Sequence, residues 1–102
     1  MKNINTIKGT HDLLPETLKL WKKIHKLIDN IMQQYGYHEI CTPVFEKSEL
    51  FIRGIGTETD IVNKEMYSWI DQGGDKITLR PEFTAPIVRS YIQHQLGSKS
   101  PL

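Results

Sequence analysis

A short run near the carboxyl end of the sequence carries residue types that could bind a small charged molecule. This run, Leu79–Pro86, places the carboxylate of Glu82 and the hydroxyl of Thr84 where an extended segment gives way to a helix. A carboxylate accepts hydrogen bonds from an ammonium group, and a neighbouring hydroxyl could share the same cation. The run therefore has the chemistry of an amino-group site.

The same two residues also match an ordinary helix start. Thr84 could cap the helix that follows, and Glu82 would favour the positive end of that helix. Spacing alone favours this capping interpretation, because it is the usual chemistry of helix amino termini. Both interpretations require a strand that ends, and a helix that begins, at this corner.

Two further patterns are too incomplete to indicate a site. Gly54–Gly56 could begin a phosphate-binding loop, but the third glycine of the dinucleotide fingerprint falls on Thr59 and no P-loop lysine follows. With one cysteine, Cys41, the sequence excludes an intrachain disulfide and multi-cysteine zinc sites. The histidines share no metal-ligand spacing, so no metal site is predicted. They are His11, His25, His38 and His94.

The composition is that of an ordinary single domain and favours no strongly charged partner. The 102 residues are 38% apolar and 25% charged, and 13 Lys and Arg against 12 Asp and Glu leave a formal net charge of +1. This balance excludes a global field that would draw the chain to nucleic acid or anionic lipid. The longest apolar run is Leu50–Ile52, whereas a membrane-spanning helix needs about 20 residues. Because Met1–Pro15 also lacks the apolar stretch of a secretory signal, we expect a cytoplasmic protein without membrane contact.

A long amphipathic helix is predicted from Pro15 to Tyr35. Pro15 suits the first turn, since its missing N–H would be unpaired there, and Gly36 can take the left-handed conformation that ends a helix. Apolar residues recur at steps of three and four: Leu18, Trp21, Ile24, Leu27, Ile28, Ile31, Met32 and Tyr35. The opposite side carries a basic stripe that could touch RNA phosphates, although a solvated polar face is the favoured explanation. The stripe comprises Lys19, Lys22, Lys23 and Lys26.

Shorter elements are predicted between this helix and the corner. Tyr37–Phe45 is rich in β-branched and aromatic residues and predicts a strand that ends near Pro43. Proline cannot donate to a ladder, so we expect this strand at a sheet edge, beside a dimer partner or unpaired. Ser48–Arg53 predicts a helical turn broken by Gly54 and Gly56, and Thr57–Asn63 predicts a loop or brief helix.

The corner itself is predicted to lie between a hairpin and a helix. The segments Met66–Ile70 and Lys76–Arg80 flank a glycine-containing loop, which favours an antiparallel pair. Pro81 ends the second strand, and from Thr84 the apolar residues repeat at helical spacing until Gly97. The predicted fold class is α+β. The sequence ends without a closing element, so we expect a piece of a longer chain.

Four segments in this order resemble the histidyl-tRNA synthetases, a family of class II aminoacyl-tRNA synthetases. Lys8–Pro15 resembles the opening of that family. Tyr35–Tyr37 followed by Thr42–Pro43 resembles class II motif 1, a long helix and a strand ending in proline. Thr59–Tyr67 followed by Leu79–Thr84 is similar to the histidine-binding region. The resemblance covers essentially all of residues 1–102. It implies the amino-terminal part of a class II catalytic domain, with a motif 1 helix, a hairpin and part of an antiparallel sheet.

The resemblance implies roles for four residues of this sequence. Glu82, Phe83 and Thr84 would line the histidine site, with Glu82 and Thr84 facing the α-amino group of the substrate. Pro43, with the helix before it, would serve a homodimer interface. The role implied for Glu82 and Thr84 agrees with the amino-group chemistry of their residue types.

The resemblance further implies a ligase that activates histidine with ATP and transfers it to its tRNA, with ATP and Mg²⁺ bound by the full-length protein. The family's ATP-binding arginines and its anticodon-binding domain fall outside these 102 residues, so we expect the piece alone to be inactive, with no catalytic residue and no cofactor. One alternative is the regulatory subunit of ATP phosphoribosyltransferase, an inactive relative from histidine biosynthesis that the sequence also resembles. Another is a free-standing dimerisation or scaffold module without a ligand.

Overall fold

The computed structural model describes residues 2–55 and 66–99, and the chain divides into two compact units, Met1–Glu39 and Ile40–Leu102. The first unit contains one helix, α1 (Pro15–Gln34). The elements of the second unit, in chain order, are β1 (Phe45–Lys47), α2 (Ser48–Ile55), β2 (Ser68–Ile70), β3 (Lys76–Leu79) and α3 (Thr84–Gln93), followed by a 3₁₀ turn at Leu96–Ser98. The predicted α+β class is confirmed, and the predicted Thr57–Asn63 segment lies outside the described residues.

Helix α1 confirms the predicted long helix, to within one residue at its carboxyl end. Pro15 occupies the start of the helix. At the other end, the N–H of Gly36 donates to the carbonyl of Gln33 (3.1 Å) and the N–H of Tyr37 to that of Met32 (2.9 Å), which are the paired bonds of a Schellman motif. Gly36 has a φ of +77°, where a side chain would be strained. No residue of α1 is buried, so the apolar side of the helix is exposed.

The predicted strand Tyr37–Phe45 is wrong, because β1 begins only at Phe45. Its ladder partner is β3, which runs antiparallel to it. The pairing extends on one side to Val44, whose carbonyl accepts from the N–H of Arg80 (2.9 Å). Pro43 comes immediately before and has no N–H to donate, so it precedes the ladder instead of ending it. In the strand order β1-β3-β2, β1 does lie at an edge.

The hairpin prediction is confirmed by β2 and β3, although both strands are shorter than expected. Asp71 closes the loop between them. Its N–H donates to the carbonyl of Asp75 (2.9 Å), and its Oδ1 accepts from the N–H of Asp75 (2.8 Å). Gly74 has a φ of +88°, the left-handed conformation that a tight hairpin loop requires.

Two of the predicted helix ends are wrong. Helix α2 runs to Ile55, so Gly54 lies inside its last turn instead of breaking it. Helix α3 begins at Thr84 as predicted but stops at Gln93, short of Gly97. The cause is Gln95, whose φ of 52° is left-handed and interrupts the helical ladder. Because a residue other than glycine seldom adopts this conformation, no sequence signal marked the stop.

The core of the second unit lies where α2 and α3 meet one face of the sheet. Phe51 of α2 is fully buried, and so is Thr78 in the central strand β3. The Thr78 hydroxyl is hydrogen-bonded to the hydroxyls of Ser48 (2.5 Å) and Ser68 (2.7 Å). These two bonds join the start of α2 to both strands of the hairpin. This packing fixes the end of β3, from which the chain turns toward α3.

Candidate functional site

Glu82 occupies the corner between β3 and α3 and caps the helix through its side chain. One carboxylate oxygen, Oε2, accepts from the N–H of Thr84 (2.5 Å), and both oxygens accept from the N–H of Ala85 (3.2 Å each). Two of the unpaired donors at the start of α3 are satisfied in this way. Phe83 is the residue at the N-cap position and contributes no side-chain bond. The sequence-based capping interpretation is therefore right about Glu82 and wrong about Thr84, which is already the first helical residue.

The carboxylate of Glu82 keeps room for a cation. Among the ion pairs of residues 2–55 and 66–99, none involves Glu82. A carboxylate offers about four lone-pair positions, and the two backbone N–H groups do not exhaust them. The same N–H groups fix the orientation of the carboxylate, so an ammonium group would meet an acceptor that is already in place.

A cavity of about 670 Å³ lies beside Glu82, between α2 and α3. This volume falls in the range of small-molecule sites, about 300–1,000 Å³. Apolar side chains from both helices form most of its walls, and they include Leu50, Phe51, Val88 and Ile92. Polar groups lie around them: Glu82 and Thr84 at one end, with Arg53, Arg89 and Gln93 from the two helices. An apolar cavity with a few polar groups suits a ligand that has both an apolar part and a charged end.

The structure brings two of the three predicted site residues together. Glu82 and Thr84 both line the cavity, and the Thr84 hydroxyl makes no hydrogen bond with any other described residue. The ring of Phe83 is exposed and lies under the guanidinium of Arg80, whose Cζ is 4.5 Å from the ring centroid. Phe83 therefore contacts Arg80 and, unlike Glu82 and Thr84, does not line the cavity.

Arg80 is a residue of this corner that the sequence patterns did not single out. Its Nη1 donates to the carbonyl of Thr42 (2.9 Å), lies 3.3 Å from the hydroxyl of the same residue and 3.4 Å from the carbonyl of Pro43. These partners are 37 and 38 positions away in the chain, so no local pattern could reveal them. Pro43 itself, the residue predicted for a dimer interface, is exposed.

Arg89 of α3 also lines the cavity, and its side chain is held by two other residues of the chain. Its Nη2 forms an ion pair with Oε1 of Glu46 (2.9 Å), and its Nη1 donates to Oε1 of Gln93 (2.7 Å). The side chain of Glu46 is only 9% exposed, so the pair is well shielded. The i, i+4 spacing of Arg89 and Gln93 on α3 is the signal from which their contact could have been predicted.

Other candidate chemistry is weaker. Residues 2–55 and 66–99 contain no group of three His, Cys, Asp or Glu side chains placed to hold a metal ion. Within the basic stripe of α1, Lys19 pairs with Glu16 at 3.3 Å on an exposed surface. None of the helices in the described part of the chain is both long enough and apolar enough to cross a membrane. Of the Gly54–Gly56 pattern, the first two residues lie in α2 and Gly56 lies outside the described residues.

Comparison with known proteins points to one family. A family model for histidyl-tRNA synthetase matches residues 9–102. A histidine-tRNA ligase from Solibacter usitatus is 50% identical over 96 residues, which is 94% of this chain and 23% of that protein. The apo structure of histidyl-tRNA synthetase from S. aureus matches with a TM-score of 0.83 and 42% identity, over 98% of this chain and 23% of that one.

A second solved structure carries a double name. It is a Bacillus halodurans protein described as an ATP phosphoribosyltransferase regulatory subunit/histidyl-tRNA synthetase, and it matches with a TM-score of 0.75 and 30% identity, over 99% of this chain and 26% of that one. Both of these values are lower than those for the S. aureus synthetase. The chain spans about a quarter of the length of the relatives that it matches.

Proposed function

The chain belongs to the histidyl-tRNA synthetase family, and from this membership we propose that it forms the amino-terminal part of the catalytic domain of a histidine-tRNA ligase. The reaction is the activation of histidine with ATP and its transfer to tRNA. Within that enzyme, this part supplies one wall of the histidine site and contacts for a homodimer. Because its product is used in translation, we propose that the enzyme is cytoplasmic.

The observation that carries the proposal is the fixed carboxylate of Glu82 beside an apolar cavity. Histidine has a cationic α-amino group, and Glu82 presents a negative group that no described lysine or arginine neutralises. The exposed Thr84 hydroxyl lies in the same wall and can accept a further hydrogen bond from the ammonium group. We therefore propose that Glu82 and Thr84 bind the α-amino group of histidine and that Phe83 supports the corner through its contact with Arg80.

The arginines of this chain do not fit the phosphates of ATP. Arg80 is held by Thr42 and Pro43, and Arg89 is paired with Glu46. Arg53 is exposed and lies 3.9 Å from the carboxylate of Glu49. Phosphate binding requires cations that are aimed at the ligand. We assign ATP and Mg²⁺ to parts of the enzyme outside the described residues, and we expect the 102-residue chain to be inactive alone.

The homodimer contacts are assigned to Pro43 and to the apolar side of α1. This side of the helix is exposed along its length, from Leu18 at 38% to Leu27 at 61%. Exposed apolar stripes of this size usually mark an interaction surface. Replacement of Leu27 by Glu in the full-length protein should shift the equilibrium toward monomer in sedimentation experiments, while the same change at the polar Gln33 should not.

Calorimetry on the full-length protein tests the proposed role of Glu82. We expect Glu82→Gln to weaken histidine binding by about tenfold or more, since a hydrogen bond to a charged group contributes about 1.5–3 kcal/mol. Imidazolepropionic acid, which lacks the α-amino group, should bind the variant and the parent protein equally. Glu49→Gln, an exposed carboxylate outside the cavity, is the matched control. Unchanged histidine affinity in Glu82→Gln would refute the assignment.

A second measurement separates the ligase from the regulatory subunit. A histidine-tRNA ligase exchanges pyrophosphate into ATP only when histidine is present, whereas a regulatory subunit would bind histidine without exchange. Histidine-dependent exchange by the full-length protein therefore supports the ligase, and binding without exchange supports the alternative. A scaffold module would show neither binding nor exchange.

A further inference from the structure

Arg80 joins the Glu82 corner to a distant part of the chain. Its Nη1 reaches the carbonyls of Thr42 and Pro43, at 2.9 and 3.4 Å, while its guanidinium covers the ring of Phe83. Phe83 is the residue next to Glu82. One half-buried side chain thus contacts both the segment that precedes β1 and the turn that carries the carboxylate.

The backbone of the corner is paired with the segment before β1 only as far as Arg80 in the described residues. The backbone N–H of Arg80 donates to the carbonyl of Val44, but the next residue is Pro81, which has no N–H and cannot continue the ladder. Within the described residues, the Glu82 carboxylate accepts hydrogen bonds only from residues that follow it in the chain, Thr84 and Ala85. The Arg80 side chain adds a second connection between the corner and the segment before β1.

Arginine is suited to this task because its guanidinium is planar. The flat face can stack on an aromatic ring while the N–H groups at the edge donate to carbonyl oxygens. A lysine ammonium can replace the charge and one of the donors, but it cannot stack and donate in this fixed geometry. The contacts of Arg80 with Phe83 and with Thr42 use both properties at once.

We propose that Arg80 is a positioning residue for the amino-group site: it clamps the strand-to-helix corner against the Thr42–Pro43 segment and thereby holds in place the turn that carries Glu82, whose carboxylate is oriented by the N–H groups of Thr84 and Ala85. This inference rests on the proposed function, since it concerns the same site. It adds a residue that acts through Glu82 and touches no substrate. It also links the corner to the segment that carries Pro43.

Histidine titrations of the full-length protein test this role. Arg80→Met, which keeps an unbranched apolar side chain but removes the guanidinium and its donors, should raise the Kd for histidine about tenfold, because small misplacements of a binding group are costly. Arg80→Lys should bind histidine more tightly than Arg80→Met, because it keeps the charge and one donor. If Arg80→Met does not fold, Arg80→Lys alone tests the role. Ser48→Ala, which removes a buried hydrogen bond away from the corner, is the control. It should lower the melting temperature without changing the Kd.

A double-mutant cycle distinguishes failure of this inference from failure of the proposed function. If Arg80 acts through Glu82, the Arg80 substitution should change the Kd little in a Glu82→Gln background, and the Kd for imidazolepropionic acid should not respond to either substitution. Additive effects of the two substitutions, or an unchanged Kd in both Arg80 variants, would overturn the positioning role. An unchanged Kd in Glu82→Gln would instead overturn the proposed function itself.

Discussion

The two faces of the three-stranded sheet differ in an unusual way. The face toward α2 and α3 carries the aligned residues Glu46, Thr78 and Ser68, all of which are polar and hydrogen-bonded. The opposite face carries apolar and aromatic side chains that remain 39–75% exposed within the described residues, namely Phe45, Tyr67, Trp69 and Leu79. Small antiparallel sheets normally show the reverse, with the apolar face against the helices.

This difference indicates where the second unit obtains its stability. On the helix-covered face, one buried phenylalanine, a hydroxyl cluster and the Arg89–Glu46 pair hold the elements together. On the open face, the aromatic side chains are only partly buried, and Phe45 and Trp69 make an edge contact with ring centroids 5.8 Å apart. Substitutions on the two faces should therefore have very different effects on the free energy of unfolding.

The largest effect is expected for Phe51→Ala. Phe51 is fully buried, and truncation of a buried phenylalanine costs about 3–5 kcal/mol through lost transfer free energy and the cavity left behind. The matched control is the same substitution at Phe45, which is 55% exposed on the open face. Urea unfolding followed by circular dichroism measures both. Equal losses at the two positions would contradict the comparison of the faces.

The elements that depend on local sequence signals were predicted correctly, whereas an element that depends on a distant strand was not. Helix α1 and the hairpin follow from periodicity, from Pro15 and from the glycines of the loop, so local signals were sufficient. The strand expected at Tyr37–Phe45 failed because pairing depends on β3, more than thirty positions away. The alternation of residue types along β3 also does not show which face of the sheet the helices cover, because both faces of this strand carry β-branched residues.

The candidate site shows the same division between local and distant determinants. The position of Glu82 at a strand-to-helix corner follows from Pro81 and from the helical periodicity after Thr84. The bond between Arg80 and Thr42, and the cavity between α2 and α3, depend on tertiary packing. Residue types therefore indicated the chemistry of the corner, but the structure was needed to identify the side chain that holds it.

An intermediate effect is expected for Thr78→Val. The substitution keeps the shape of the side chain and removes the hydroxyl that both Ser48 and Ser68 contact. A buried polar group left without its partner costs about 1–3 kcal/mol. Thr17→Val on the exposed surface of α1 is the matched control and should cost much less. A cycle with Ser48→Ala should show coupling, because the two side chains share one hydrogen bond; strictly additive losses would contradict the cluster.

The smallest effect is expected for Tyr67→Thr on the open face. The side chain of Tyr67 is 75% exposed, and its structural bond is made by the backbone carbonyl, which accepts from the N–H of Leu79 (2.8 Å). Threonine retains that bond and the preference for extended backbone, so the change should stay within about 0.5 kcal/mol. It should also add simply to Phe51→Ala, since sites without shared contacts are independent. A loss of several kcal/mol in urea unfolding would mean that the open face is packed as tightly as the helix-covered one. That result would contradict the difference between the two faces of the sheet.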